Sequence, residues 1–239
     1  MRILYLDSRR GLNAVAMLAA MIDAGAAADE IARRLRFLPG GCALRSSDTV
    51  VGGLRACQIV LDTPEVPHSG RLEDVENLID RSRLSRRVRE LVVPVYRRLA
   101  MAEARVHGST PETVTFHEIG AARSVVATIG LAAAIELLEP VHVVASPLPA
   151  GGGTVVTHHG LLPVPTPATA ELLRDLPVEG TERTGELVTP TGAALVSEIA
   201  SSFGPIPSMT VESIGYGIDE QRSPALVTRV IAGRRTSWS

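Results

Sequence analysis

The chain of 239 residues contains no lysine, so every strongly basic side chain among its 24 is an arginine. A phosphate loop built around a lysine is therefore excluded. Cysteine is almost as scarce: Cys42 and Cys57 are the only two, and they form no CxxC pair. That excludes a disulfide framework and a cysteine-held zinc, and it fits a reducing cytoplasm. Aromatic residues make up only 3% of the chain and the net charge is −2, which speaks against a protein that stacks bases or neutralises phosphate backbones. No nucleic-acid partner is expected. No apolar run reaches the ~18–20 residues that span a bilayer, so no membrane partner is expected either. Arg9-Arg10, followed by the apolar Leu12 to Ile22 and the small residues Ala24 to Ala28, has the outline of a leader peptide. The strand-like Arg2 to Asp7 precedes it, however, and the stretch reads as a first amphipathic helix of a cytoplasmic protein.

What is present is ordinary globular material, with 45% hydrophobic and 21% charged residues, enough for a sizeable core. A strand over about 2–6 leads through a loop at Asp7 to Gly11 into helices over roughly 12–24 and 27–36. β-Branched stretches at Thr49 to Val51 and Gln58 to Thr63, divided by Gly52-Gly53, predict a hairpin. Thr63 to Gly70 reads as a linker. From Ser85 to His107, apolar residues at Val88, Leu91, Val92, Val95, Leu99, Ala102 and Val106 mark one helix face, which Gly108 ends. A second long helix covers about 122–138, and a strand follows at His142 to Ser146. Pro147 to Pro167 reads as a loop and an extended polyproline-like arm. Helices at about 168–174 and 191–202 are expected to be capped by Thr166 and Thr189, and two strands close the chain at about 209–217 and 225–232. The fold class is mixed α/β, a sheet flanked by helices without a strict βαβ repeat. Residues 1–70 and 71–239 form two parts or one continuous domain, and the paired apolar helices leave a homo-oligomer open.

Three segments carry chemistry. His117-Glu118 places an imidazole beside a carboxylate at the mouth of a helix; a turn at Gly120 would let both reach one metal, while a hydrogen-bonded core histidine is the plain alternative. Gly151-Gly152-Gly153 through His158-His159-Gly160 joins backbone freedom to imidazoles, which suits a phosphate, a borderline metal such as nickel, or simply a loop at a sheet edge. Gly185 to Ala194 sets Glu186, Thr189 and Thr191 at a helix start, an anion site or an ordinary N-cap. The arginines Arg86, Arg87, Arg89, Arg97, Arg98 and Arg105 form either a solvated face or a surface that attracts an anionic ligand.

The phrases RRLAMAEARVHG, TFHEIGA, SPLPAGGGTV, HGLLPVPTPAT, GELVTPTGAAL and IGYG occur together in an order that resembles the LarC-type nickel-insertion proteins, strongly from about residue 86 to 232. The resemblance implies insertion of nickel into a pyridinium bis-thiocarboxylic acid mononucleotide, a CTP-dependent lyase-type step in nickel-pincer cofactor biosynthesis. On that resemblance His117, His159 and Asp7 are metal candidates, Glu118 and Glu186 catalytic candidates, and Gly152, Gly153, Gly160, Thr189 and Thr191 substrate-binding candidates. The departures are equally specific. Asn13 to Ala16 lacks the acid the family carries, Arg123 and Ala127 stand where it has aspartates, and only His68 is left of a His-rich linker. The family's C-terminal domain, associated with CTP use, is either a separate polypeptide here or lost. The alternatives are a non-catalytic paralogue that binds or scaffolds, and an unrelated metal-dependent hydrolase or nucleotide-binding enzyme.

Overall fold

The computed structural model describes residues 1–38, 41–63, 70–116, 122–219 and 226–236. In chain order these form β1 (Arg2–Asp7), α1 (Ala14–Asp23), α2 (Ala28–Leu35), β2 (Ala43–Val51), β3 (Leu54–Asp62), α3 (Leu72–Asp80), α4 (Arg86–His107), α5 (Ala122–Leu138) and β4 (His142–Ala145). Then come β5 (Leu148–Pro149), β6 (Thr154–Thr157), β7 (Gly160–Pro163), α6 (Pro167–Leu172), β8 (Val178–Glu179), α7 (Pro190–Ile199), β9 (Ser202–Phe203), β10 (Met209–Asp219) and β11 (Leu226–Arg235). The mixed α/β expectation holds, and the hairpin at Gly52-Gly53 is β2 and β3, longer than the β-branched core alone suggests.

One seven-stranded sheet, in the order β2-β3-β10-β11-β1-β4-β9, takes strands from both sides of residue 70. β1 pairs antiparallel with β11, Asp7 opposite Arg229, and parallel with β4, Leu6 opposite Ala145. Being central, β1 is buried on both faces from Ile3 to Asp7, as its unbroken apolar run requires.

α1 is the helix nearest this sheet, and two residues of the IGYG phrase explain how it gets there. Gly215 and Gly217 lie two apart on β10, hence on one face. A Cβ on Gly217 would sit 2.0 Å from the Ala16 carbonyl oxygen and 2.2 Å from the Ala20 nitrogen, and one on Gly215 would sit 2.0 Å from the Ala20 carbonyl. The helix answers with alanines, and Ala14 to Met21 are all buried. α5 is apolar nearly all round and buried from Val125 to Ile135, as such a helix must be.

α4 carries the caps its sequence announces: the Ser85 hydroxyl accepts the Val88 N–H at 3.2 Å and Gly108 takes the left-handed conformation. It runs on through Pro94. Of its expected stripe, Val88, Val92, Val95, Leu99 and Ala102 enter the core, whereas Val106 is 37% exposed. Four of the six arginines named on α4 pair with carboxylates of the chain: Arg86 with Glu90, Arg97 with Glu76, Arg98 with Glu198 and Arg105 with Glu171. Among the described residues no helix is long and apolar enough to cross a membrane.

The expected polyproline-like arm differs from what is found. β6 and β7 form an antiparallel hairpin, Val155 opposite Leu162, with His158 and His159 at its turn. β-Branched Thr154 to Thr157 and the permissive Gly160, at φ +88, favour pairing before the prolines take over. Thr166 occupies the N-cap position of α6 but makes no side-chain cap; its hydroxyl lies 3.0 Å from the Thr169 hydroxyl and 3.4 Å from a Glu186 carboxylate oxygen.

Candidate functional site

Three loops meet beyond the C-terminal ends of β1 and β4, the end of a parallel pair where α/β sheets place their ligands. The buried hydroxyls of Ser8 and Ser146 lie 2.9 Å apart and tie the two strand ends together. The loop after β1 is held to the segment before α7: Leu12 N–H donates to the Leu187 carbonyl at 2.8 Å, Thr189 N–H to the Leu12 carbonyl at 3.1 Å, and the Arg183 guanidinium to the Arg9 and Arg10 carbonyls. The glycine triad joins the same assembly. Gly185 N–H donates to the Gly152 carbonyl at 2.8 Å, and Val164 N–H to that of Gly153 at 3.0 Å. Gly151, at φ +72, lies so close that a Cβ there would stand 2.4 Å from the Gly185 carbonyl. Gly192 admits the loop before α1 in the same way, a Cβ there falling 2.5 Å from the Leu12 carbonyl.

Beside this junction opens a cavity of about 490 Å³. Its chemistry comes from His107 and Glu103 on α4, His158 and His159 on the hairpin turn, Thr166 before α6, and Glu186, while Val155, Val156 and Leu162 form an apolar wall. Pro190, the first residue of α7, also lines it, so the positive end of that helix adjoins the cavity. The His107 and His159 rings lie 4.9 Å apart, centroid to centroid, tilted by 46°. His107 Nε2 is 3.3 Å from a Glu103 carboxylate oxygen. Among the described residues no three His, Cys, Asp or Glu side chains converge closely enough to hold a metal ion. A second cavity, of about 630 Å³ at the other end of α4, is lined by Arg33, Arg34, Arg36 and Arg83 together with Glu30 and Glu136; it contains none of the candidate residues.

The sequence profile of the nickel insertion proteins matches residues 4–237. The chain belongs to the nickel insertion protein family. A putative nickel insertion protein of Geobacter sp. (strain M21) is 41% identical over 240 residues, 98% of this chain and 62% of that relative. One from Geobacter metallireducens is 41% identical over 91% of this chain and 56% of its own length. The pyridinium-3,5-bisthiocarboxylic acid mononucleotide nickel insertion protein of Staphylococcus saprophyticus is 36% identical over 90% of this chain and 55% of its own length. The chain thus spans somewhat more than half the length of these curated relatives. No solved structure matches it.

Within this family member the candidate residues distribute unevenly. His159 and Glu186 line the cavity together. Thr189 caps α7, its hydroxyl accepting the Gly192 N–H at 3.1 Å, and Thr191 exchanges a hydrogen bond of 3.1 Å with Ser124 at the start of α5. Gly152 and Gly153 build the strap beneath the hairpin, and Gly160 closes its turn. Asp7 stands apart from the cavity lining, paired with Arg229 across the β1–β11 register. Burial alone would push the Arg229 guanidinium down, but hydrogen bonds to Tyr216 and Asp7 outweigh it and raise it. His117 and Glu118 lie outside the described residues.

Arg123 and Ala127, where the resemblance implies aspartates, have definite surroundings. Arg123 donates to both carboxylate oxygens of buried Asp219, at 2.9 and 3.3 Å, a bidentate geometry only arginine makes. Ala127 is fully buried in α5. His107 and Glu103 escape a reading of the sequence, where a histidine in a last helical turn passes for a partner of the helix dipole. Two signals could reveal them: both lie in the phrase RRLAMAEARVHG, and residues i and i+4 share one helix face.

Proposed function

We propose that this chain is the precursor-binding part of a nickel-insertion (nickel chelatase) enzyme acting on a pyridinium bis-thiocarboxylic acid mononucleotide in nickel-pincer cofactor biosynthesis. The observation that carries the reading is the convergence of His159 and Glu186 on one cavity next to the N-terminus of α7. Each part of the substrate then has a counterpart. A phosphate is favoured at a helix N-terminus. The apolar wall of Val155, Val156 and Leu162 suits a planar ring. Imidazole and carboxylate groups suit a borderline divalent ion that must be released again. Nickel is cargo in this scheme, and Glu186 takes up, in this reading, a proton set free as the precursor's ligands are metallated. The CTP-using step belongs, in this reading, to a separate C-terminal polypeptide, and the setting is cytoplasmic. The name printed for the staphylococcal relative supports the substrate class.

The test is to incubate the chain with nickel-free precursor and Ni²⁺, with and without CTP and the C-terminal polypeptide, and to follow metallated product by mass spectrometry. Product that depends on this chain supports the proposal; its absence under every combination rejects it. A second reading, a non-catalytic paralogue that binds the precursor, is favoured by one observation. The position of a family acid is filled by Arg123 and neutralised by Asp219. It predicts precursor binding with no product.

A further inference from the structure

We propose that His107 and His159 form a two-imidazole grip for a borderline divalent cation, and that Glu103 positions His107 within it. The two imidazoles come from unrelated elements, the end of α4 and the turn of the β6–β7 hairpin, and meet on the wall of one cavity with ring centroids 4.9 Å apart. Two imidazoles brought this close from separate elements suit an imidazole-preferring metal such as nickel, copper or zinc. The contact of 3.3 Å between Glu103 and His107 Nε2 ties the ring to its own helix face, where residues i and i+4 are neighbours.

The low ligand count has a chemical meaning. Structural zinc sites close with four protein ligands, whereas sites that exchange something keep positions open. Two imidazoles hold a cation while leaving the rest of its coordination sphere to water or to the sulfur atoms of an incoming ligand. That nickel is the physiological cation rests on the function proposed above; the grip itself does not. His107 is thereby assigned a role next to His159, and Glu103 acts through His107 as a positioning residue.

The probe is Ni²⁺ alone, titrated calorimetrically into the full chain, with nickel-edge X-ray absorption counting bound imidazoles. Wild type should bind one ion through two imidazoles. His107→Ala and His159→Ala should each leave one imidazole and weaken binding by more than about 100-fold, and Glu103→Gln by about tenfold, the cost of losing a partner that orients a ligand. His142→Ala, at the exposed first position of β4, should bind as wild type does. Circular dichroism checks folding, and His107→Gln repeats the test should the alanine variant unfold. The proposal is overturned if wild type binds no Ni²⁺, or if either histidine variant binds within about tenfold of it. If the grip holds nickel but no precursor is bound or metallated, the proposed function fails and the grip stands. Metallation by His107→Ala at the wild-type rate would do the opposite: the grip fails and the proposed function stands.

Discussion

Gly217→Ala tests the packing on which the site depends. The added Cβ would lie 2.0 Å from the Ala16 carbonyl oxygen and 2.2 Å from the Ala20 nitrogen, so α1 must retreat by about 1.4 Å to restore ordinary contact of roughly 3.4 Å. Both obstacles are helix backbone, and no side-chain rotation relieves them. Overpacking a core costs about 1–3 kcal/mol where side chains can adjust, so here the loss should be about 3 kcal/mol or more. The retreat also drags Asn13, whose side chain caps α1, away from the first turn of α7, so precursor affinity should fall with stability. Urea denaturation of wild type and variant gives the stability difference. Gly180→Ala is the control: nothing lies within 4 Å of its Cβ and its φ is outside the left-handed range, so it should change stability by no more than about 1 kcal/mol. A Gly217→Ala loss below about 1 kcal/mol would refute the close approach of α1 to β10.

Three further outcomes follow from individual side chains. Thr189→Ala removes the cap on α7 and should cost about 1 kcal/mol in urea denaturation while weakening precursor binding. The Arg174 guanidinium, with help from Arg105, holds the Glu171 carboxyl down to about 2. A depressed carboxyl contributes stability above its ordinary value and loses it as pH falls through the folded one. The melting temperature of Glu171→Gln should therefore lie below wild type at pH 7, and the gap should close between about pH 4.5 and 2; a constant gap would contradict the assignment. Burial pushes the Cys57 thiol up to about 11, so thiolate is scarce at pH 8 and alkylation, followed by mass spectrometry, should proceed only as fast as the chain opens.

Much of this fold is legible in the sequence because its strongest signals are local. α4 shows its Ser85 cap, its apolar stripe and its terminal Gly108, and β1 shows an unbroken apolar run before a glycine. The hairpin of β6 and β7 is hidden, since Gly153 and the prolines at 163, 165 and 167 mask a short β-branched pairing between them. The cavity is half legible: His107, His159 and Glu186 all sit in family phrases, but that His107 and His159 meet is set by tertiary packing that no local pattern announces. Asp219 is likewise far from Arg123 in the chain, so the sequence displays the arginine without displaying the carboxylate that pairs with it.

The most direct test of the central claim is equilibrium binding of nickel-free pyridinium bis-thiocarboxylic acid mononucleotide to the isolated chain, wild type against Glu186→Ala. Wild type should bind saturably, and the variant should bind at least about tenfold more weakly, a loss of about 1.4 kcal/mol. Absence of binding to wild type, or equal binding to both proteins, would contradict the claim.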